Sequence, residues 1–587
     1  MNLLILESPG KVAKVQSYLG SGWKVVASVG HVRDLPEKEL GIALPDFTPT
    51  YVPTERGKDV LKRLKTLAAT ADAVYLATDP DREGEAIAWH LADALRLKNP
   101  KRITYGEITA NAVKSAVTAP RSLDMHLVAA QEARRVLDRF CGYLVSGPLS
   151  RAGGIRLSAG RVQSPAVRLV VERERAISNF VSVTHYGAEL CFEGGWKAQW
   201  NSRNWLPTGQ EYLLDKSVAE QVAALLTVEV QDCKETVSRV APPAPFTTSS
   251  LQQAASNALK IAPKHTMSLA QKLYEGGHIT YMRTDSPNLS AEAVEEIRNF
   301  CTAKGLPLVN SPRVWKSKEG AQEAHEAVRP THIELEDAGA TDDEKALYRL
   351  IWIRTMASQL ADAQYDVRVL LLASSVNGQP TYFEAKGRVL REAGWKKLLA
   401  GDEATQDEES DVDGPENPVP SLTAGTALIA ILGTVNTKKT KPAGRFSEAS
   451  LVRELENKGI GRPATFAAIV DTIMRREYVR TEKRFLVPTP LGEKVVDLLN
   501  GAFSFLDYEF TKYMENELDA IAGGKASYKT VMAKAHDHLQ KELAAFIAKY
   551  PASQQPYASK SSGGAKSYSN SKPASKPSGK TTRGGKK

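Results

Sequence analysis

The 587-residue sequence predicts a multidomain protein that opens with an α/β unit and continues through α-helical and β-rich units. Three observations carry this. Up to about residue 118, short apolar runs of strand length alternate with segments of helical period, the pattern of a mostly parallel sheet. Beyond that point, stretches with apolar residues at helical spacing are interrupted twice by strand-like segments. The length itself corresponds to about three to five domains. A composition of 42% hydrophobic and 25% charged residues excludes a collagen-like, coiled-coil or wholly disordered chain.

Leu3-Leu4-Ile5-Leu6 reads as a buried first strand rather than a signal peptide, because no basic region or small-residue cleavage site accompanies it. Ala73-Val74-Tyr75-Leu76-Ala77 is a second strand, followed by a helix over 83–97 with Ile87, Leu91 and Leu95 on one face. Residues 102–105 read as a third strand and 110–117 as another helix. Residues 124–149 read as one long helix. Ala133, Leu137, Phe140 and Leu144 form its core stripe, and Arg135, Arg139 and Tyr143 recur at i, i+4, i+8 on the opposite face. A helix over 162–176 precedes strands over 185–200, with Gly194-Gly195 as their hairpin turn. Residues 247–360 read as helical, 365–374 and 381–386 as strands, and 447–550 as helices again.

No run of about 18 apolar residues occurs, so no membrane-spanning helix is expected and a cytoplasmic location is. Cys141, Cys191, Cys233 and Cys301 form no C-x-x-C pair, which argues against both zinc ribbons and a disulfide framework. The net charge of +9 is unevenly spread. Pro551 to Lys587 holds eight Lys and Arg and no acid, whereas the other 550 residues carry 69 basic and 68 acidic groups. That Ser-, Gly-, Lys- and Pro-rich segment is expected to be a disordered basic tail. Residues 401–418, with eight acids and no base, read as a solvated loop or linker. A polyanionic partner must then be held by local patches of the body.

The strongest local signal is Asp79-Pro80-Asp81-Arg82-Glu83-Gly84-Glu85, between a strand and a helix. Asp79, Asp81 and Glu83 at the end of a strand can converge on a divalent cation, and hard oxygen donors select Mg²⁺ or Mn²⁺. The plainer reading is helix capping and surface charge. Glu7-Ser8-Pro9-Gly10-Lys11 favours the first reading, because a carboxylate ending the first strand would lie beside the triad if the two strands are neighbours. Together these residues resemble the Toprim domain of topoisomerases, primases and some nucleases. The resemblance implies a reaction-centre role for Glu7 and metal binding by the triad, and by itself leaves several enzymes open.

Gly277-His278-Ile279-Thr280-Tyr281-Met282-Arg283-Thr284-Asp285-Ser286 resembles the active-site signature of type IA DNA topoisomerases. Alone, a Tyr and a nearby Arg would read as ordinary surface. Further blocks of the same family follow in order: residues 28–36, 133–143, 157–165, 324–331, 445–451 and 459–466. The Glu7-Ser8-Pro9 start and the Gln163-Ser164 pair look like the topoisomerase I branch. The resemblance implies Tyr281 as nucleophile and Arg283 as its electrostatic partner, because a phenol near pKa 10 needs a positive field at neutral pH. Lys11, and Arg102 with it, would stabilise phosphate charge, and Glu7 would relay a proton at the 3′-oxygen. Arg135, Arg139 and Tyr143 would meet DNA, guanidiniums on phosphate and the ring on an unpaired base, unless they are merely a solvated face. Arg134, Asp138, Arg161, Gln163, Ser164, Arg462 and Thr465 join the expected DNA-binding set, Arg462 near a helix start where amides favour phosphate. His31 and His325 are either satisfied structural histidines or DNA-directed groups, His325 being placed by the resemblance near the tyrosine. Ala464 lacks the hydroxyl that many relatives carry as Ser.

The fold so implied is a four-domain toroid. Its parts would be a Toprim domain over 1–118, interrupted near 35–60, and a helical DNA-binding domain over 119–180 and 430–550. A β-rich arch would occupy 181–245 and 366–430, a helical lid carrying the tyrosine 246–365, and the basic tail 551–587. The implied activity is relaxation of negatively supercoiled DNA by a monomer, with Mg²⁺ and without ATP. No Walker A sequence and no zinc site are expected. A Toprim nuclease or primase without use of Tyr281, or a metal-free single-strand-binding protein, are the competing classes.

Overall fold

In the computed structural model, which describes residues 1–316, 326–399 and 417–551, the N-terminal sheet is built from four parallel strands. These are β1 (Asn2–Leu6), β2 (Trp23–Ala27), β3 (Val74–Ala77) and β4 (Lys101–Arg102), in the spatial order β2-β1-β3-β4. Helices α1 (Val12–Leu19), α2 (Glu55–Ala69), α3 (Arg82–Leu95) and α4 (Ala110–Thr118) connect or follow them. The period of two along β1 sends alternate side chains to opposite faces. Leu3 and Ile5 join Leu76 of β3 and Leu64, Ile87 and Leu91 of α2 and α3. Leu4 and Leu6 join a second core that continues into Phe246, Tyr274, Ile279 and Tyr281. That shared core fixes the tyrosine segment against the α/β unit.

Strand β2 was not expected from the sequence, because only Val25 and Ala27 of its five residues are buried and the apolar run is short. The strand expected at 102–105 shrinks to β4. The helix expected over 124–149 is α5 (Met125–Arg139), a π-helical turn over Phe140–Val145, and α6 (Ser146–Gly153). Between β2 and α2 the chain leaves the sheet in two short ladders, and Ile42 and Phe47 bury themselves with α5 and the C-terminal helices.

After α7 (Gln163–Ser178) comes a seven-stranded antiparallel sheet. Its strands are β5 (Thr184–Cys191), β6 (Lys197–Asn201), β7 (Thr227–Val240), β8 (Ala363–Val376), β9 (Gln379–Glu392), β10 (Ala427–Ile429) and β11 (Leu432–Lys439), ordered β10-β7-β8-β9-β6-β5-β11. The turn joining β5 and β6 uses positive φ at Gly194 and Gly195, 86° and 81°. Helix α8 (Lys216–Ala223) packs on this sheet, whose core holds Leu190, Trp200, Val230, Leu372 and Phe383. The excursion between β7 and β8 carries α9 (Thr248–Ala258), α10 (Pro263–Glu275), α11 (Ala291–Ala303) and α12 (Asp342–Ser358). Tyr281 lies on irregular chain between α10 and α11.

The C-terminal part has α13 (Glu448–Asn457), α14 (Phe466–Arg475), α15 (Pro490–Leu499), α16 (Tyr508–Ala522) and α17 (Tyr528–Lys549). A two-stranded ladder, Val479–Glu482 with Phe485–Pro488, interrupts what the sequence suggested was all helix. These helices share one core with α5 and α7, so two distant stretches of chain form one unit. Among the described residues no helix is long and apolar enough to cross a membrane. All four cysteines are free thiols. His325, most of the acidic 401–418 stretch and the tail from residue 552 lie outside the described residues.

Candidate active site

In a parallel sheet, ligands bind beyond the C-terminal strand ends where the connections diverge. Here β1 leads to β2 on one side, and the chain then crosses back to β3 on the other. Glu7 follows β1 and Asp79 follows β3, so the two carboxylates meet at that point. Asp81 caps α3, its Oδ1 accepting from the Gly84 amide at 2.8 Å. Gly84 has no room for a side chain, since a Cβ there would meet the Asp79 carbonyl oxygen at 2.1 Å. The Asp-x-Asp-x-Glu-Gly spacing therefore bends the chain so that its acids face one crevice.

Tyr281 enters this crevice from the facing segment. Its hydroxyl donates to Asp81 Oδ2 at 2.7 Å, and its ring rests edge-on against Tyr274, centroids 5.3 Å apart. Arg283 Nη1 lies 3.3 Å from both Asp81 Oδ2 and Glu83 Oε2. The backbone fixes the approach, with the Tyr281 amide donating to the Gly106 carbonyl at 2.7 Å and the Thr280 amide to the Arg329 carbonyl at 2.9 Å. Arg329 also reaches Glu107 at 3.1 Å, tying the tyrosine segment to the α/β unit.

Burial and the Asp81 charge raise the Tyr281 phenol well above its ordinary pKa, and Arg283 offsets only part of this. The expected lowering of the phenol by its cationic neighbours is thus outweighed in this arrangement by burial and the Asp81 charge. Lys11, only 1% exposed, pairs with Asp79 and sits over the Tyr274 ring at 4.6 Å, so it is not a free phosphate ligand here. Burial, then Asp79 and Asp81, push Glu7 up to about 8. Burial pushes Asp81 up, but Arg283, the Gly84 amide and Tyr281 outweigh it and keep it an anion. His31 Nε2 stands 3.4 Å from Glu83 Oε1. Burial lowers the pKa of His31, yet that bond and the charges of Glu83, Glu7 and Asp34 raise it on balance.

The fit to a divalent metal divides into donor type and spacing. Four carboxylates face one crevice, and the upward shift of Glu7 marks a surplus of negative charge that a cation would neutralise. Yet among the described residues no three acidic, His or Cys side chains stand at metal-holding separation. Arg283, Tyr281, His31 and Lys11 occupy the oxygens instead. The donors suit a hard divalent cation, and Arg283 stands at the Asp81 and Glu83 oxygens that such an ion would take.

The expected DNA-binding residues divide sharply. Arg134 and Arg462 line the cleft beside the triad, although Arg134 is engaged by Glu515, whereas Asp138 accepts from Arg161 at 3.1 Å and Gln163 accepts a long 3.5 Å bond from Arg476. Arg135 pairs bidentately with Asp34 at 2.9 and 2.8 Å. Tyr143, half exposed, donates to the Lys38 carbonyl at 3.0 Å, and Arg139 approaches the Glu39 carbonyl at 3.4 Å. Three expectations are corrected by burial. Arg161, 2% exposed, links Asp138 and Glu515 and is internal. The Ser164 hydroxyl, also buried, accepts from the Gly160 amide at 3.1 Å. Arg102, 0% exposed, grips Glu85 and the carbonyls of Leu76, Thr78, Ile103 and Asp79, and so braces the loop that carries the triad without facing phosphate. Thr465 spends its hydroxyl inside the turn, accepting from the Arg462 amide at 2.8 Å.

Arg102→Met should therefore lower the unfolding free energy by about 3 kcal/mol, since it strands buried Glu85 with Arg121 as its remaining cation. Urea unfolding checks this. An unchanged midpoint with lost DNA affinity would restore the phosphate role.

Sequence reasoning missed Arg82, Glu515 and Asp519. Burial pushes Glu515 up, but Arg134, Arg161 and Arg462 outweigh it and hold it far below the usual carboxylate range. Asp519 takes Arg82 at 2.7 Å and Arg462 at 2.7 and 2.9 Å. Arg82 stood in plain view within the triad motif. The two α16 acids carry no motif at all.

A Toprim-type crevice closed by a tyrosine–arginine pair delimits the class, and the comparisons with known proteins agree. The Toprim domain family matches residues 2–110 and the DNA topoisomerase family residues 122–533. The chain belongs to the type IA DNA topoisomerases. Within them it stands with bacterial topoisomerase I. It is 53% identical over 551 residues to a plasmid DNA topoisomerase I of Xylella fastidiosa, covering 92% of this chain and 83% of that one. It is 40% identical to DNA topoisomerase 1 of Escherichia coli, covering 90% of this chain and 65% of that protein. The full-length topoisomerase I structure of Thermotoga maritima superposes with a TM-score of 0.81 at 34% identity, over 92% of this chain and 90% of that one. The chain thus spans about two thirds of the Escherichia coli relative's length.

Proposed function

We propose that the chain relaxes negatively supercoiled DNA without ATP, cutting one strand through a 5′-phosphotyrosine on Tyr281, passing the other strand and resealing. The observation that carries this is the 2.7 Å bond between Tyr281 and Asp81, residues 200 positions apart. The Tyr281 oxygen attacks the phosphorus and gives its proton to water, while the bond to the 3′-oxygen breaks. Glu7 delivers a proton to that oxygen and recovers it when the 3′-hydroxyl attacks in turn. The bond energy kept in the phosphotyrosine makes resealing independent of ATP. Arg283, released from Asp81 and Glu83, meets the charge that develops on the phosphate oxygens. Asp79, Asp81 and Glu83 would hold Mg²⁺, with Mn²⁺ able to substitute, and the ion when bound supplies positive charge beside the phosphate.

Arg134, Arg135, Asp138, Arg139, Tyr143, Gln163 and Arg462 serve the DNA path, directly or by orienting one another, and His31 reaches it beside Glu83. The chain works as a monomer in the cytoplasm, divided into Toprim domain, helical domain, arch and lid near the bounds that the sequence suggests, except that β11 (Leu432–Lys439), expected in the helical domain, belongs with the arch sheet. Unpaired DNA is the cutting substrate, so negative supercoils should be relaxed and positive ones poorly. A plasmid assay with Mg²⁺ and no ATP tests this. Relaxation that requires ATP would contradict it.

The basic segment from Pro551 to Lys587 adds eight positive charges that can follow phosphates. If it engages about four of them, ending the chain at Tyr550 should reduce the slope of log K against log salt on duplex by roughly 3–4. Oligonucleotide cleavage should persist. Equal slopes for the two forms would make the segment inert.

A further inference from the structure

Four guanidiniums from separate parts of the chain meet two carboxylates one turn apart on α16. Glu515, 0% exposed, takes Arg134 Nη2 at 2.6 Å and Arg161 Nη1 at 2.5 Å, with Arg462 Nη1 at 3.9 Å. Asp519, with its side chain 25% exposed, bridges Arg82 Nη2 at 2.7 Å and Arg462, whose Nε and Nη2 stand 2.9 and 2.7 Å from its Oδ2. The two acids differ in setting. Glu515 is sealed in the interior, whereas Asp519 lines an open cavity of about 330 Å³ together with Asp81, Arg82, Arg283, Arg462 and Thr465. Arg82 Nη1 is buried there without a hydrogen-bond partner among the described residues.

A carboxylate gripped by two guanidiniums presents the charge and the paired oxygens of a phosphodiester. We propose that Asp519 stands in for a DNA phosphate. It neutralises Arg82 and Arg462 while the cleft is empty and is displaced when a backbone phosphate enters beside the triad. Glu515 is the permanent counter-charge that keeps the arginines in place through the exchange. Arg82 sits between Asp81 and Glu83 in the chain, so the phosphate that Asp519 imitates lies next to the one cut by Tyr281. Competition by Asp519 weakens the grip of the cleft, which suits an enzyme that must release and recapture strands. The inference rests on reading the cleft as the DNA path.

The test is single-stranded oligonucleotide binding in a Tyr281→Phe background, so that no adduct forms. Asp519→Asn keeps the side-chain shape and removes the charge. It should bind roughly tenfold more tightly, because a like charge no longer competes at the phosphate position. Glu509→Gln, on the exposed face of the same helix, should change binding less than about twofold at ordinary salt, where distant charges are screened. The gain should largely vanish when Arg82→Gln is added, because the two residues form one unit. Unchanged or weaker binding by Asp519→Asn, or an equal gain from Glu509→Gln, would overturn the proposal. So would unfolding of both Asp519→Asn and Asp519→Ser at the assay temperature, which would make Asp519 a structural anchor. If the Tyr281→Phe parent itself fails to bind the oligonucleotide, the cleft reading falls. If it binds and Asp519→Asn gains nothing, only the phosphate stand-in falls.

Discussion

Tyr281→Phe is expected to bring strand cleavage and relaxation below detection, a loss on the order of 10⁴-fold or more, since a covalent nucleophile has no substitute in the crevice. The fold should tolerate the change. The ring stays packed on Tyr274 in the shared core, and one hydrogen bond to Asp81 is lost while Arg283 still faces that carboxylate. The cost to stability should be about 1 kcal/mol. Single-strand affinity should be nearly unchanged, because one hydroxyl contributes little to an interface of many phosphates. A purified mutant that still forms a covalent adduct would remove Tyr281 from its role. A mutant that is inactive because it no longer binds DNA would point to positioning rather than attack.

Removing Asp79 and Asp81 together should have the next largest effect. With Mg²⁺ held by the triad as proposed, Glu83 alone would not suffice, so Mg²⁺-dependent relaxation should disappear, with oligonucleotide cleavage surviving better than resealing. Alanine at both positions would confound this result. It would leave Lys11, 1% exposed, without its carboxylate, at a cost of about 3–5 kcal/mol, and strip α3 of its cap at about 1 kcal/mol. Asp79→Asn with Asp81→Asn keeps the side-chain shapes, an oxygen facing Lys11 and the α3 cap, and is the cleaner pair. Lys11 still loses its counter-charge, so a folded-state check by circular dichroism accompanies it. The parent's thermal melt should rise with added Mg²⁺, and that of the double mutant should not. Full relaxation by the double mutant at ordinary Mg²⁺ would contradict the metal assignment.

The residues legible in the sequence are those whose chemistry is local to a strand end. Glu7 and the Asp79–Glu83 triad each sit where an apolar run stops, and Tyr281 and Arg283 share one short segment. What the sequence concealed was burial. Arg102, Arg161 and Ser164 are of the right types to meet phosphate, but their partners lie inside. Arg161 is satisfied by Glu515, 354 residues away. No spacing rule marks a carboxylate on a late helix as the counter-ion of an arginine on an early one, which is why Glu515 and Asp519 went unseen. Strand β2 was missed for a related reason, since its burial comes from neighbours and not from a long apolar run. The 124–149 helix shows the opposite case. Its helical period is real on both sides, and the π-helical turn at Phe140–Val145 leaves no sign in a window that counts only apolar recurrence.

The central claim is that Tyr281 becomes joined to a 5′-phosphate of DNA in a crevice shared with Glu7 and the triad. Incubating the protein with a single-stranded oligonucleotide labelled at either end, denaturing it and mapping the DNA-bearing peptide measures this directly. The expected result is an adduct on the peptide containing Tyr281 that retains the 3′-end label, with a free 3′-hydroxyl on the released fragment. Cleavage with no protein-linked DNA, an adduct on another residue, or a retained 5′-end label would contradict it.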